Sequence, residues 1–300
     1  MQKKQPLTIR EAVELAASRF SSLSDASPML EAELLLASVL EKPRTHLIAW
    51  PDKRLSDEQQ HCFHSLVDRR SNGEPLAYIT GRREFWSLEF DVTPATLIPR
   101  PETETLVELA LERLPADKAT RVADLGTGSG AIAAAIANDR PFTHVWATDN
   151  SPEALSVASG NFLRLGLSNI DTLAGNWLKA LPGDLKFDLI VSNPPYVAED
   201  DPHLQKGGLP WEPDRALSSG VDGLNDIRVI IKGAVDHLRT GGWLLLEHGL
   251  EQGASIRKLM KTAGYSTIST WNDLENRERI SGGIRPSQSR QARKGKGCSC

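Results

Sequence analysis

Asn193-Pro194-Pro195-Tyr196 follows directly on an apolar segment, Phe187 to Ser192, and its residue types suit one kind of chemistry. An amide or aniline-like NH2 is a poor nucleophile, because its lone pair is delocalised into the neighbouring π system. Two acceptors, the Asn193 side-chain oxygen and the Pro194 carbonyl, can hold its two hydrogens and aim the nitrogen at an electrophilic methyl group. Positive charge building on that nitrogen strengthens both bonds in the transition state. The prolines restrict φ and bias Asn193 and Pro194 towards extended backbone, so both acceptors are preorganised. Tyr196 can stack on the planar group. Asn193, Pro194 and Tyr196 are therefore the candidate catalytic residues, and Asn193 to Tyr196, Pro195 included, the candidate substrate site. No general base is needed, since a protonated methylamide loses its proton to water. Turn chemistry could account for an Asn-Pro step, but a given string of this kind occurs in such a chain on the order of once in a thousand.

A second apolar segment, further upstream, ends in Asp124-Leu-Gly-Thr-Gly-Ser-Gly130. Gly126, Gly128 and Gly130 let the chain turn sharply from strand into helix with no Cβ facing a ligand, and the helix behind them offers unpaired N–H groups. Ala131 completes the relaxed pattern G-x-G-x-x-A, so this loop alone also suits a nicotinamide enzyme, or a turn that binds nothing. Asp149 ends the next apolar strand and can accept hydrogen bonds from a ribose diol, which S-adenosylmethionine and NAD both carry. Asp149 to Glu153 also reads as a helix cap, with Ser151 at the cap and Pro152 first inside. Trp177 stands where an aromatic could cover an adenine face, or where a core tryptophan would sit. The Asn-Pro-Pro-Tyr run separates a methyl donor from a hydride carrier, and it favours S-adenosylmethionine.

Other chemistries find little support. His203, His237 and His248 have no serine or cysteine partner at an elbow, so a hydrolase triad is not indicated. No Cys/His cluster has zinc spacing, and Cys62, Cys298 and Cys300 make no disulfide framework. Glu247-His248 follows the strand Trp243 to Leu246 and lines the cleft or, by preference, contacts a helix at the sheet end.

These residues need a scaffold, and 300 residues at 40% hydrophobic and 25% charged can build one large domain plus a small one. No apolar run reaches the ~20 residues needed to span a bilayer, and the N-terminus has no apolar signal core, so a cytoplasmic protein without membrane contact is expected. Residues 285–300 carry five basic side chains and no acid. Removing that +5 from the net −4 leaves −9 on the other 284 residues, which disfavours direct nucleic-acid binding.

Residues 1–74 read as a small helical bundle. Thr8-Ile-Arg-Glu11 and Ser56-Asp-Glu-Gln59 have capping-box spacing, and Ser27-Pro28 supplies a cap and a first-turn proline. Residues 75–101 read as a β-hairpin over 84–92 and a proline-stiffened connector to a helix near Glu102. From 102 to 285, apolar strands at 121–125, 144–148, 170–173, 187–192 and 243–247 alternate with helical stretches at 130–138, 152–165, 225–239 and 251–263. That alternation implies an α/β fold with a mostly parallel sheet, whose ligands bind at the carboxyl ends of the strands. Residues 286–300 read as a disordered basic tail.

From about residue 8 to 285 the chain resembles the HemK/PrmC-type N(5)-glutamine methyltransferases, which act on class I peptide chain release factors. The resemblance is carried by Arg83-Glu-Phe-Trp86, Leu97-Ile-Pro-Arg-Pro-Glu-Thr-Glu104, Asp124 to Gly130, Asn193 to Tyr196 and Leu245-Leu-Glu-His-Gly249. It implies a Rossmann-like methyltransferase sheet of the seven-stranded type and a helical domain that helps grip the release factor, whose Gly-Gly-Gln glutamine enters the cleft. S-adenosylmethionine would be contacted by Gly126, Thr127, Gly128, Ser129, Gly130, Asp149, Trp177 and Asn193, with Asp124 fixing the loop or approaching the methionine amino group. A monomer is expected. An N(6)-adenine nucleic-acid methyltransferase shares the Asn-Pro-Pro-Tyr run and is the alternative, and a translation-associated binder with a degenerate site is a third reading. One departure stands out. Asn276-Arg-Glu-Arg-Ile-Ser-Gly-Gly283 occupies the place of the family's last strand, and two glycines should weaken it.

Overall fold

The computed structural model describes residues 6–23 and 27–287. Cys298, Cys300 and nearly all of the basic tail lie outside the described residues.

The N-terminal helices are α1 (Ile9–Phe20), α2 (Pro28–Leu40), α3 (Arg44–Ala49), α4 (Asp57–Ser71) and α5 (Leu76–Thr80). Thr8 and Ser56 each close a reciprocal capping box, with Glu11 and Gln59 respectively. Pro28 is at the first turn of α2, but the Ser27 side chain makes no capping bond; its carbonyl instead accepts from Glu31 N. The expected side-chain cap is therefore absent. Apolar faces of these helices meet around Phe20, Leu35, Leu36 and Phe63, all buried. Within that unit a buried ion pair, Arg70 Nε to Glu31 at 2.7 Å, ties α4 to α2.

Strands β1 (Arg82–Phe85) and β2 (Leu88–Asp91) form the hairpin, turning through Trp86 and Ser87, both at positive φ. Trp86 pins this hairpin to the next layer: its backbone N–H donates to Glu104 and its indole N–H to Asp139. A 3-10 turn, Pro101–Thr103, leads into α6 (Glu104–Arg113).

The main sheet contains β3 (Thr120–Leu125), β4 (Thr143–Asp149), β5 (Ile170–Ala174), β6 (Phe187–Ser192), β7 (Leu238–Glu247), β8 (Ser266–Asn272) and β9 (Glu278–Ile284). Between them run α7 (Ala131–Asp139), α8 (Pro152–Arg164), α9 (Asn225–His237) and α10 (Gly253–Thr262). Strand order is β5-β4-β3-β6-β7-β9-β8. The first five are parallel neighbours, and β9 is antiparallel to both β7 and β8. Central strands such as β3 and β6 are buried almost throughout because helices cover both faces. The chain builds outward from β3 to β5, then returns to β6 on the other side of β3. The switch point therefore falls between β3 and β6.

Two strands differ from the sequence expectation. β8 has no counterpart among the strands expected, and β9 is fully paired despite its glycines. A Cβ on Gly282 would lie 2.5 Å from Leu245 Cδ2 and 2.7 Å from the Leu244 carbonyl oxygen. Glycine is there because the neighbouring strand approaches too closely for anything larger. Gly282→Val should accordingly lower unfolding free energy by about 1–3 kcal/mol through overpacking. A urea midpoint unchanged from wild type would refute this.

Candidate active site

Cross-strand register brings the site together. Thr148 of β4, Leu125 of β3, Ser192 of β6 and Leu246 of β7 lie on one row across the sheet. The next residue along each strand is Asp149, Gly126, Asn193 and Glu247. Four chain segments far apart in sequence thus leave the sheet at the same edge, at the switch point where open α/β sheets bind ligands.

The loop after β3 is held from several sides. Gly126 and Thr127 N–H groups donate to the Thr148 carbonyl. Gly128 N–H donates to the Asp149 carboxylate at 2.9 Å, whose other oxygen accepts from Ser151 N–H at 2.9 Å. Gly130 has φ of +85°, and a Cβ there would stand 2.5 Å from the Phe162 ring. Asp124 lies behind this loop. It is fully buried and accepts the Thr127 hydroxyl at 2.7 Å, while its Oδ1 has no partner among the described residues. Burial pushes its carboxyl up to about 7, against the Thr127 hydrogen bond.

A cleft of about 930 Å³, part of it open solvent, lies in front of the loop. Gly126, Thr127, Gly128, Ser129, Asp149, Trp177, Asn193 and Pro195 line it. Trp177 packs against Gly126, and its indole N–H donates to Asp226 at 2.9 Å, which fixes the ring plane. Gly130, Pro194 and Tyr196 are not in the cleft wall. Gly130 opens α7 behind the loop, and the Tyr196 hydroxyl instead turns to Glu247 at 3.4 Å. The remaining bonds of Tyr196 hold the backbone, with its N–H on the Leu217 carbonyl and its carbonyl accepting from Gln252.

Asn193 is joined to Thr103, assigned no role from sequence, and through it to Glu247, expected at the cleft or against a helix at the sheet end. Its Nδ2 donates to Thr103 Oγ1 at 3.2 Å, and that hydroxyl donates to Glu247 Oε2 at 2.6 Å. Burial raises the Glu247 carboxyl to about 7, with the Thr103 hydrogen bond and Arg279 acting the other way. Asn193 is thereby anchored through nitrogen, which leaves Oδ1 as the end free to accept.

Ala95, Thr96, Leu97, Pro99 and Arg100, expected only as part of a connector, also line the cleft. Arg100 pairs with buried Glu212, which also accepts the Ile98 N–H at 3.1 Å, so this wall is fastened to the loop after β6. Tyr78 donates to the Thr96 carbonyl at 2.7 Å. Buried Asn161 is a second clamp, bonding Asp91 of β2 and the Ser129 carbonyl of the glycine loop. His248 is buried as well, bonded to Ser281 of β9 at 2.8 Å and to the Gly249 carbonyl. For His248 the expected helix contact is a strand contact instead, whereas Glu247 does meet the 3-10 helix Pro101–Thr103 through Thr103. Among the described residues no group of His, Cys, Asp and Glu could hold a metal ion, and no helix is long and apolar enough to cross a membrane.

Residues 11–81 match the PrmC N-terminal domain and residues 103–206 the methyltransferase small domain. The release factor glutamine methyltransferase of Xylella fastidiosa is 52% identical over 257 residues, covering 86% of this chain and 93% of that protein. The chain belongs to the release factor glutamine methyltransferase family.

Family members from Coxiella burnetii and Escherichia coli are 47% and 46% identical, covering 91% of this chain and 98% and 95% of theirs. Among solved structures, a methyltransferase from Pyrococcus furiosus superposes with a TM-score of 0.52 at 19% identity, covering 73% of this chain and 97% of that one. The hMettl16 catalytic domain in complex with MAT2A 3'UTR hairpin 6 gives 0.55 at 16%, covering 74% and 83%. At those identities they speak for the fold alone: an α/β Rossmann-like methyltransferase, here carrying the N-terminal helices of the release factor glutamine methyltransferase family.

Proposed function

We propose that the chain transfers the methyl group of S-adenosyl-L-methionine to the side-chain amide nitrogen of the glutamine in the Gly-Gly-Gln motif of class I peptide chain release factors. The observation that carries this is the polarity of Asn193. With Nδ2 committed to Thr103, Oδ1 is left to accept, and the carbonyl of Pro194, which lies behind the wall between the lining residues Asn193 and Pro195, would be the second acceptor for one NH2 group.

The residues present fit the cofactor. Gly126, Thr127, Gly128, Ser129 and Gly130 would hold its amino-acid end, with Gly130 acting by shaping the turn from behind. Asp149 would receive the ribose hydroxyls and Trp177 would flank the adenine. Asp124 keeps the loop in shape through Thr127. When bound, S-adenosylmethionine supplies an electrophilic methyl on a sulfonium.

The chain's own residues do the rest. Asn193 Oδ1 and the Pro194 carbonyl each accept one amide hydrogen, which orients the nitrogen and withstands the positive charge that grows on it. Pro195 stiffens this turn, and Tyr196 ties its far end to Glu247. The surplus proton leaves to water. All these residues come from one chain, so a monomer suffices, and a release-factor substrate implies a cytoplasmic enzyme.

Incubation with isotopically labelled cofactor and purified release factor should place one methyl on the Gly-Gly-Gln glutamine, located by peptide mass spectrometry. Release factor that stays unlabelled while calorimetry shows cofactor binding would overturn the proposal. Label appearing on adenine of added RNA or DNA would favour the other planar NH2 instead.

A further inference from the structure

An asparagine side chain can be inserted in two ways, with oxygen and nitrogen exchanged at nearly the same shape. Only one way works for a substrate NH2. With Oδ1 outward Asn193 accepts a hydrogen; with Nδ2 outward it opposes donor to donor. Nothing in the backbone of Asn193 makes that choice.

Thr103 and Glu247 make it. Thr103 reaches the site from the 3-10 turn ahead of α6, and Glu247 from the end of β7. The Thr103 hydroxyl has one proton, and the 2.6 Å contact to Glu247 Oε2 takes it. Only lone pairs remain on Oγ1, so it can receive Nδ2 of Asn193 at 3.2 Å but cannot donate to Oδ1. While Glu247 is ionised it ends the sequence, because a carboxylate has no proton to return. Thr103 is 4% exposed and Glu247 1%, so water does not compete for either bond. Burial, and to a lesser extent Glu102, pushes the Glu247 carboxyl up, while the Thr103 hydrogen bond and Arg279, on the strand beside it, favour the charged form. The second Glu247 oxygen lies 3.4 Å from the Tyr196 hydroxyl, so one carboxylate holds both ends of the Asn193–Tyr196 run.

We infer that Thr103 and Glu247 are positioning residues for the methyl transfer: a one-way series of hydrogen bonds, Asn193 to Thr103 to Glu247, locks the Asn193 amide with its oxygen facing the substrate nitrogen. The inference rests on the methyl-transfer reading of the cleft. Neither residue touches the reacting atoms.

Thr103→Val keeps the shape and removes the hydroxyl, and Thr103→Ser keeps the hydroxyl. In the full-length enzyme Thr103→Val should lower kcat for release factor roughly 10- to 100-fold, with cofactor Kd unchanged within about twofold. Thr103→Ser should restore kcat to within about threefold. A folded Thr103→Val enzyme with wild-type kcat, or a serine variant as slow as the valine one, overturns the inference. A second measurement needs neither turnover nor a folded variant. In the wild-type protein one Asn193 side-chain NH2 proton should be deshielded and slow to exchange in a 1H–15N spectrum. Two fast-exchanging protons, both at ordinary free-amide shifts, would refute the series of bonds even if methylation is observed. An inactive wild-type enzyme with a protected proton would instead refute the methyl-transfer reading and leave the bond series standing.

Discussion

Asn193→Ala is expected to reduce kcat for release-factor methylation on the order of 10³-fold, equivalent to about 4 kcal/mol of transition-state stabilisation. Methyl transfer to an amide is limited by the weakness of the nucleophile. The nitrogen must be held in line while its charge changes from neutral to positive. On the proposed reading, Asn193 Oδ1 is one of two acceptors that strengthen during that change, and neither Thr103 nor Tyr196 can replace it. Thr103 already donates to Glu247, and Tyr196 faces the same carboxylate. Cofactor affinity should fall by less than about tenfold, because the glycine loop, Asp149 and Trp177 remain. Folding should be little affected, since Asn193 is only partly buried. Single-turnover kinetics with preloaded cofactor separate the two effects. A rate within tenfold of wild type would show that the second acceptor alone carries the chemistry.

The second large effect concerns pH and stability. Asp124 has an ordinary carboxyl value of 3.8, and burial raises it to about 7 in the fold. The folded state therefore binds the proton more tightly than the unfolded state does. Its contribution to stability is fully present below about pH 4 and is lost as pH rises through 7, a total of roughly 4 kcal/mol. Asp124→Asn mimics the protonated side chain. Its unfolding free energy should be flatter than wild type between pH 4 and 7 by up to about 1.4 kcal/mol per pH unit. Urea titrations at several pH values, without cofactor, provide the comparison. Parallel pH profiles for the two proteins would mean that the Asp124 carboxyl is not perturbed. The cost follows from the fold: Asp124 lies on an interior strand of the sheet, where charge is least welcome, and it holds the glycine loop through Thr127.

The methyltransferase fold was legible because its signals are local. Apolar strands and their following helices announce themselves by period and by the Gly and Asn-Pro punctuation at their ends. The two capping boxes were equally plain, since each lies within four residues. Ser27 was misread because a capping residue type does not ensure a capping rotamer. β8 escaped because it is a half-exposed edge strand whose pattern lacks the apolar run of the central strands. Gly282 looked like a weakness, as sequence gives no view of the Leu245 side chain that requires it. Thr103, Glu212 and Asn161, and the partners of Glu247, were missed for one shared reason. Each acts on a residue far away in sequence, and only the register of the sheet and the return of residues 95–103 bring such pairs together. Their one sequence signal was position: Glu247 ends a strand as Asp149 does, and Thr103 falls within the Leu97–Glu104 run that carried the family resemblance.

The place of β9 between β7 and β8 has a consequence for biosynthesis. The ribosome makes β9 after both strands that it separates, so the edge of β7 stays bare until residues 278–284 have emerged. That edge runs through Trp243, Leu244, Leu245 and Leu246, and an open apolar strand edge invites pairing with other chains. A nascent chain can complete the glycine loop and the Asn193 turn well before this point. Yet Glu247, which steadies that turn, sits on the unprotected strand.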